Sequence, residues 1–392
     1  MKKFVALTLA VSMALTLASC GSTPTGSTPA SKAEGTTTIT GDTIKIGVLA
    51  PLTGEVSVYG VPVNNGVQQA VKDINAAGGI GGKQIECVVY DEKGDATEAV
   101  NAYNKLVQDD KVVAIVGDVT SGATLAVAQQ SLQDGIPLIT GTATAEAVTT
   151  TGENVFRACF TDPFQGELMA AYASQKLKAK TAAVLYNAAD DYSSGVAAAF
   201  VKAAEADGIT IVTQEKFQTG DVDFKSQLTT IKGKNPDVLM MPVYAEPLRI
   251  IAAQAKEVGI TSQLMGVDGW DGVLSDANFD ASVLEGGLFC SQYSAESTDE
   301  ALQKFIKTYK ETNNTDPNMF SVLGYDAMQI IAKAIEKAGS ADAAAIIDAL
   351  NATDYVGLTG NITFDENRNP IKSSVIMSVK GGAYKYVENY EK

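Results

Sequence analysis

Short apolar runs alternate with longer amphipathic stretches from Ile44 onward. The segment Ile44–Ala50 is a short, mainly apolar run closed by Pro51, which is typical of a strand buried in a parallel sheet. The segment Val63–Ala76 places its apolar residues on one face of a helix. The glycine pair Gly78-Gly79 follows closely, as expected for the C-terminal cap of a helix.

The same alternation repeats along the chain. Further strands are predicted at Ile85–Tyr90, Val112–Val116, Pro137–Thr140, Ala182–Tyr186, Ile209–Glu215, Val238–Met241, Gln263–Val267 and Gly286–Ser291. Helices fit between them, for example at Thr97–Gln108, Ser194–Asp207 and Leu248–Val258. Repeated strand–helix alternation predicts an α/β fold with doubly wound parallel sheets, covered by helices on both faces. The number of units exceeds one compact domain, so we expect two such lobes.

The C-terminal part departs from this alternation. Two alanine-rich helices, Met319–Ala338 and Asp342–Leu350, are predicted with no strand between them. A β-rich closing stretch follows at Ile362–Phe364 and Val375–Val379. The total length of 392 residues fits about two domains of typical size.

The first twenty residues have the pattern of an export signal. Lys2 and Lys3 give a positive start, and Phe4–Ala18 form an apolar stretch shorter than the roughly 20 residues of a membrane-spanning helix. The stretch ends in Leu17-Ala18-Ser19-Cys20, where small residues precede a cysteine as in bacterial lipoproteins. We therefore predict a signal peptide at 1–19 and lipid attachment to Cys20. The alternative is ordinary secretion with an incidental cysteine.

The segment that follows is rich in Gly, Ser, Thr and Pro up to Asp42. Such a composition buries too little apolar surface to fold, so residues 20–42 are predicted to form a flexible tether. The folded part would then be exported and lipid-anchored. It would lie at the outer face of the cytoplasmic membrane, or on the periplasmic side in a cell with two membranes.

The amino-acid composition excludes several classes of function. The formal net charge of −16, from 30 Lys+Arg and 46 Asp+Glu, argues against a nucleic-acid partner. Histidine is absent, which excludes Ser-His-Asp and Cys-His catalysis and histidine-based zinc sites. No cofactor and no metal site are expected.

Three further patterns indicate no disulfide, phosphate-binding or calcium-binding site. Cys87, Cys159 and Cys290 are odd in number and far apart, which favours free buried thiols over disulfides. The glycine-rich run at 78–83 lacks the first glycine and the final Ser or Thr of a phosphate-binding loop. The aspartates Asp268, Asp271, Asp276 and Asp280 could suggest calcium, but Trp270 occupies the third position, where a calcium-binding loop needs Asp or Asn.

Polar loops follow the predicted strands, where open α/β sheets bind ligands. In the first half of the chain these loops are 51–60, 117–124 and 141–146. Ser121 and Thr144 are each predicted to begin a helix, where free N–H groups and the helix dipole attract an anion. Two converging helix starts with a hydroxyl each would cradle a carboxylate. They are equally compatible with ordinary caps that hold no ligand.

The second half of the chain supplies a carboxylate and aromatic rings. Asp268 follows a predicted strand and can pair with an ammonium group. A single aromatic residue after a strand usually serves packing, but several together offer flat apolar surface with polar tips. These residues are Tyr59, Tyr192, Tyr244 and Trp270. The combined set describes a site for a zwitterion.

Several longer runs carry a family resemblance. They are Ile44-Lys45-Ile46-Gly47-Val48-Leu49-Ala50-Pro51-Leu52-Thr53-Gly54, Tyr59-Gly60, Gly66 with Ala70, Asp73-Ile74-Asn75-Ala76-Ala77-Gly78-Gly79-Ile80, and Tyr90-Asp91. In their order and spacing they resemble the type I periplasmic binding proteins of ABC transporters. The branched-chain amino-acid (leucine/isoleucine/valine) binding group is the most similar. The resemblance covers about 43–388.

The resemblance implies two lobes joined by three crossovers, the arrangement called a Venus flytrap. The crossovers are expected near Asp162, Cys290 and Asn369. The first lobe would comprise 43–162 and 291–369, and the second lobe 163–290 and 370–392. The family's usual first-lobe disulfide would need cysteines at Gly94 and Thr120, and this chain has neither.

Matching motifs also imply roles for individual residues. Ser121 and Thr144 fall where the family holds the substrate carboxylate. The backbone carbonyl of Thr142 would accept a hydrogen bond from the substrate amine, and Asp268 would pair with that amine in place of the glutamate of the best-known members. The aromatic residues around the pocket would be Tyr59, Tyr192 and Tyr244 by resemblance, and Trp270 from its local chemistry alone.

These features together predict binding and not catalysis. The expected protein is a monomeric lipoprotein that captures an amino acid, branched-chain or otherwise apolar, and delivers it to the membrane permease of an ABC transporter. Two alternatives stay open. One is a binder of short-chain amides or urea, and the other is a ligand-sensing partner of a separate receptor.

Overall fold

The computed structural model describes residues 42–391. The predicted signal peptide at 1–19, Cys20 and the predicted tether up to residue 41 lie outside the described residues. Within the described range, no helix combines the length and the apolar character needed to cross a membrane.

A five-stranded sheet forms the centre of the first lobe. Its strands are β1 (Thr43–Ala50), β2 (Gln84–Asp91), β3 (Ala114–Val116), β4 (Leu138–Thr140) and β5 (Val155–Arg157). They lie in the order β2-β1-β3-β4-β5, and every neighbouring pair is parallel. Because β1 lies between β2 and β3, the connections leave it in opposite directions and the sheet is doubly wound.

A seven-stranded sheet forms the centre of the second lobe. Its strands are β6 (Thr181–Asn187), β7 (Thr210–Phe217), β8 (Val238–Met240), β9 (Gln263–Gly266), β10 (Leu288–Ser291), β13 (Ser374–Lys380) and β14 (Ala383–Tyr390). The order is β14-β13-β10-β9-β8-β6-β7. The strands β6 to β10 pair in parallel, whereas β13 and β14 are antiparallel at one edge. A separate hairpin consists of β11 (Asp354–Gly357) and β12 (Gly360–Thr363).

Helices cover the sheets and alternate with the strands. In chain order within the described residues they are α1 (Ser57–Ala76), α2 (Ala96–Lys105), α3 (Ser121–Asp134), α4 (Ala147–Thr150), α5 (Asp162–Gln175), α6 (Asp191–Ala206), α7 (Lys225–Lys234), α8 (Ala245–Val258), α9 (Glu300–Asn313), α10 (Met319–Ala338) and α11 (Ala343–Asn351). The α/β class and the doubly wound parallel sheets expected from the sequence are confirmed.

Strand β1 shows why a central strand reads as an apolar run. Ile46 and Val48 are buried in the core that also contains residues of α1 and α10. Leu49 is buried on the opposite side, in the core that contains Ala99 and Tyr103 of α2. Since both faces of β1 are covered, side chains on both faces are apolar.

Helices α1 and α10 approach each other through two glycines. A Cβ on Gly66 would overlap the backbone carbonyl of Ser321, and a Cβ on Gly324 would overlap that of Val63. Only a hydrogen atom fits at these positions, so glycine permits the close approach of the two backbones. This contact holds helix α10 against helix α1 in the first lobe.

The chain passes between the two sheets three times. It leaves the first sheet after β5, at 158–161, and returns after β10, at 292–299. It leaves again between β12 and β13, at 364–373. Both lobes therefore consist of segments that are separated in the sequence.

Some elements differ from the sequence prediction. Helix α1 begins at Ser57, before Pro62, although an internal proline usually marks a helix end. Strand β14 was not predicted, because most of its side chains face solvent and form no apolar run. Cys87, Cys159 and Cys290 are free thiols, as expected, but only Cys159 and Cys290 are buried and Cys87 is half-buried.

Candidate ligand-binding site

A small cavity lies between the two lobes. Its volume is about 270 Å³. The residues that line it are Tyr59, Val119, Thr120, Ser121, Thr142, Thr144, Tyr192, Tyr244, Asp268, Gly269 and Phe320. The space inside the cavity is narrow, so the cavity suits a small solute.

The strand order explains why these loops converge. In the first sheet, β1 and β3 are neighbours whose connections run in opposite directions, and the second sheet repeats this order with β6 and β8. The carboxyl ends of strands at such a switch point leave a crevice that can hold a ligand. Tyr59 follows β1 and Ser121 follows β3. Tyr192 follows β6 and Tyr244 follows β8.

The wall from the first lobe is the start of helix α3. Thr120 is the N-cap residue, but its side chain caps no N–H group, and Ser121 is the first helical residue. The Ser121 Oγ accepts a hydrogen bond of 3.1 Å from the N–H of Ala145, which ties the loops after β3 and β4 together. An uncapped helix start with its positive dipole end attracts an anion.

Thr142 and Thr144 lie on the loop after β4. The Thr142 hydroxyl donates a hydrogen bond of 2.8 Å to the carbonyl oxygen of Val119. The prediction that Thr144 begins a helix is wrong, because the next helix begins only at Ala147 and is four residues long. The Thr140 hydroxyl oxygen instead accepts from the N–H of Thr142 and shapes this loop. Thr144 therefore brings a hydroxyl to the cavity without a helix dipole.

Asp268 is the charged residue in the wall from the second lobe. Its Oδ1 accepts a hydrogen bond of 2.8 Å from the Tyr192 hydroxyl, and its side chain is only 3% exposed. Burial raises the pKa of Asp268 to about 6, while hydrogen bonds from Tyr192 and Gln165 oppose the rise. The carboxylate is ionised at neutral pH, and a cation beside it would offset the cost of burying its charge.

Gln165 positions Asp268 and was not predicted from the sequence. Its Oε1 accepts a hydrogen bond of 3.0 Å from the N–H of Asp268, and its side chain is fully buried. The two residues are 103 positions apart. No local motif distinguishes a single glutamine in helix α5, so only the tertiary structure reveals this contact.

Aromatic rings form the apolar part of the cavity. Tyr192 and Tyr244 are stacked, with ring centroids 4.9 Å apart. The ring of Tyr59 lies 5.4 Å from that of Tyr244 and 4.7 Å from that of Phe320. Phe320 was not predicted from the sequence, because it reaches the cavity from α10 and follows no strand. Its place depends on the packing of α10 against α1.

Trp270 lies outside the cavity, unlike the other site residues predicted from the sequence. Its side chain is fully buried, and its Nε1 donates a hydrogen bond of 2.9 Å to the carbonyl oxygen of Met241. Its ring packs near Phe289, at a centroid distance of 6.3 Å. Asp268 and Trp270 lie at opposite ends of one 3-10 turn, which turns the carboxylate to the cavity and the indole to the core.

Comparison with known proteins agrees with this architecture. Residues 43–383 match the family described as periplasmic binding protein. The chain belongs to the periplasmic binding protein family. A relative in Pseudomonas aeruginosa, named leucine-, isoleucine-, valine-, threonine-, and alanine-binding protein, is 33% identical over 326 residues. The match covers 83% of this binding protein and 86% of that relative.

Solved structures of two binding proteins share the fold. The leucine-binding protein LivK of Thermotoga maritima has 33% identity and a TM-score of 0.83, covering 89% of this chain and 99% of that one. The branched-chain amino acid transporter substrate-binding protein LivJ of Streptococcus pneumoniae, in complex with isoleucine, has 35% identity and a TM-score of 0.82, covering 88% of this chain and 99% of that one. The resemblance to the leucine/isoleucine/valine group is thus confirmed. The chain is a solute-binding protein and not an enzyme.

Proposed function

We propose that this periplasmic binding protein captures a free amino acid with a branched or other apolar side chain and delivers it to the membrane permease of an ABC transporter. The names of the relatives that match most of the chain support an amino-acid ligand. One observation carries the proposal. A single small cavity holds an uncapped helix start from one lobe and a buried carboxylate from the other.

The two charged ends of an amino acid fit these two walls. The ligand carboxylate would accept hydrogen bonds from the hydroxyls of Ser121 and Thr144 and from the N–H groups that begin α3. The ligand ammonium would pair with Asp268 and donate to the carbonyl oxygen of Thr142. Each ligand charge thereby meets a group of opposite polarity in a site shielded from water, where such pairing is strongest.

The ligand side chain would lie against the rings of the cavity. Tyr59, Tyr244 and Phe320 form one continuous aromatic cluster at the cavity wall. This cluster is apolar on its ring faces, so burial of an aliphatic side chain against it is favourable. The small volume of the cavity favours a compact side chain over a long or charged one.

Closure of the two lobes would trap the ligand. The Tyr59 hydroxyl, from the first lobe, accepts a hydrogen bond of 2.7 Å from the N–H of Ala245 in the second lobe. This hydrogen bond requires the two lobes to be close together, so it would stabilise the closed form. Hinge motion of two lobes about a ligand is a recurrent transition in binding proteins.

The export and anchoring of this protein are part of the same proposal. The signal peptide at 1–19 would be removed and Cys20 lipidated, so that residues 20–42 tether the monomeric binding protein to the outer face of its membrane. A Cys20→Ser variant is then expected in the soluble fraction of disrupted cells, with the wild type in the membrane fraction. Equal distribution of the two proteins would contradict the lipid anchor.

Calorimetry of ligand-free protein tests the ligand class. The protein is unfolded, dialysed, refolded and titrated with the twenty amino acids, urea and small amides. We expect the tightest binding for leucine, isoleucine or valine. Leucinamide and 4-methylpentanoate, which lack the carboxylate and the ammonium of leucine respectively, are expected to bind much more weakly. Tight binding of urea or an amide, with no binding of any amino acid, would contradict the proposal, since an amide has no ammonium group to pair with Asp268.

A further inference from the structure

Two acidic side chains are fully buried behind the first-lobe wall of the cavity. Glu92 directly follows β2, Asp118 lies just after β3, and each is 0% exposed. Strands β2 and β3 flank β1 and run parallel to it, so the two residues lie at the same end of the sheet, beyond the carboxyl ends of these strands. Among the described residues, neither carboxyl takes part in a salt bridge.

Each carboxyl is satisfied on one oxygen only. Glu92 Oε2 accepts a hydrogen bond of 2.7 Å from the N–H of Gly94, and Asp118 Oδ1 accepts one from the N–H of Val119. Glu92 Oε1 and Asp118 Oδ2 are buried and receive no hydrogen bond from a donor group in the described residues. The two carboxyls lie within hydrogen-bond reach of each other. One proton between them would satisfy both free oxygens.

Among residues 42–391, the charged groups around this pair do not supply a cation to it. Asp91, the last residue of β2, adds repulsion to Glu92. Glu55 and Lys93 have exposed side chains at the outer groove between the lobes. Burial, followed by repulsion from Asp118, raises the pKa of Glu92 to about 9, and burial raises the pKa of Asp118 to about 7.

We propose that Glu92 and Asp118 share one proton in a carboxyl–carboxylate hydrogen bond, and that this bond positions the loop that begins α3 for ligand binding. The inference rests on the proposed function, because it concerns the wall that would hold the ligand carboxylate. Neither residue touches the cavity, so both act as positioning residues.

Hydrogen bonds connect the pair to the cavity wall. The carbonyl oxygen of Asp118 accepts a hydrogen bond of 2.7 Å from the Thr140 hydroxyl. The next residue, Val119, lines the cavity, and its carbonyl oxygen accepts from Thr142. Displacement of Asp118 would therefore shift the start of α3 at Ser121 and the loop after β4 together.

Rising pH is the condition that breaks the shared hydrogen bond. The proton is held at neutral pH and lost near pH 9, because the pKa of Glu92 is raised to about 9. Loss of the proton leaves two buried negative charges side by side, which repel each other strongly. In the unfolded chain both acids ionise at their ordinary low pKa, so the folded protein loses stability as pH rises toward 9.

A Glu92→Gln variant tests the proposal, because its amide donates permanently to Asp118 at every pH. The measured quantity is the ratio of the Kd for isoleucine at alkaline pH to that at neutral pH. Loss of the ligand's own ammonium affects all variants equally. We expect this ratio to be about tenfold larger in the wild type than in the variant. Glu98→Gln removes an exposed acid from the first turn of α2 and should keep the wild-type ratio.

Equal ratios in the wild type and in Glu92→Gln would overturn the proposal. Asp118→Asn is the reciprocal variant and should lower the ratio of the two Kd values in the same way. If isoleucine does not bind at all, the proposed function fails, and the pair is tested without ligand by the pH dependence of Tm. The Tm of the wild type should then fall more steeply toward alkaline pH than that of Glu92→Gln. If neither variant folds, carboxyl ¹³C titration of the wild type decides, and two ordinary acidic midpoints would refute the shared proton.

Discussion

The hydroxyl of Tyr59 donates a hydrogen bond of 2.7 Å to the carbonyl oxygen of Gly269, a residue 210 positions later in the chain. Tyr59 belongs to α1 of the first lobe, and Gly269 lies in the loop after β9 of the second. The same hydroxyl accepts from Ala245, which is also in the second lobe. One hydroxyl thus uses its donor and its acceptor across the cleft, beside the cavity.

Replacement of Tyr59 by phenylalanine removes both interlobe hydrogen bonds and keeps the ring. Each bond contributes about 0.5–1.5 kcal/mol, so we expect the affinity for the amino acid to fall about tenfold or more. Calorimetry measures the change. Tyr103→Phe is the matched control, since its hydroxyl donates to Asp134 within the first lobe and its loss should leave the affinity unchanged.

Asp268→Asn is expected to weaken binding and to stabilise the ligand-free protein. The folded-state pKa of about 6 lies above the ordinary value of 3.8, so ionisation of this buried carboxyl costs the folded protein free energy at neutral pH. The neutral amide removes that cost, roughly 1–3 kcal/mol, but leaves a ligand ammonium without a counter-ion. Thermal unfolding should show a higher Tm, and calorimetry an affinity lower by at least about a hundredfold.

Asp271→Asn is the control variant that separates the effect on stability from the effect on ligand binding. Asp271 is also buried, and burial raises its pKa to about 7, but it does not line the cavity. Its Oδ2 accepts a hydrogen bond of 2.8 Å from the N–H of Met319. We expect this variant to change the Tm with little effect on Kd. A comparable loss of affinity in both variants would argue against a direct role of Asp268.

Affinity for the amino acid should fall on the acidic side of pH 6. Below the pKa of about 6, Asp268 takes up a proton and loses the charge that attracts the ligand ammonium. Affinity should be constant near neutral pH and then fall by up to about tenfold for each pH unit below the midpoint. Calorimetry over this range measures the profile. In Asp268→Asn the affinity should not fall below pH 6. An unchanged fall in that variant would mean that another group causes it.

Two glycine substitutions should act on stability with opposite signs. Gly66→Ala would push a methyl group into the carbonyl of Ser321, so we expect it to separate α1 from α10 and to destabilise the protein by several kcal/mol. A Cβ at Gly233, within helix α7, meets open space. Gly233→Ala should therefore stabilise the protein by about 0.5–1 kcal/mol. Denaturant titration of both variants gives the free energies of unfolding.

The alternation of apolar and polar residues was enough to predict most strands of the two sheets. Strand β1 lies between two neighbouring strands and is covered by helices, so most side chains in Ile44–Ala50 are apolar and the strand can be recognised. Strand β14 has one neighbouring strand and faces solvent, so Ala383–Tyr390 contains few buried apolar side chains. An edge position alone does not explain the failure, because the edge strands β2 and β7 were predicted, whereas the short buried strand β5 was not.

The cavity residues divide in the same way. Ser121 and Asp268 were predicted because they follow strands directly, and strand order brings all such loops to one crevice. Gln165 and Phe320 come from helices far away in sequence, and only tertiary packing brings them to the site. Trp270 was misplaced because a loop position does not fix the direction of a side chain, and the 3-10 turn sends its ring into the core.

The three passages of the chain between the sheets also govern how the molecule can be made. Strands β13 and β14 are synthesised after the other described strands, yet β13 pairs with β10 and completes the second sheet. The first lobe must wait as well, for α10 to cover α1. A nascent chain therefore carries two unfinished lobes with an open sheet edge and an uncovered helix until its final segment is available. Removal of the last hundred or so residues would leave neither lobe intact, so this architecture yields no half-molecule that stands alone.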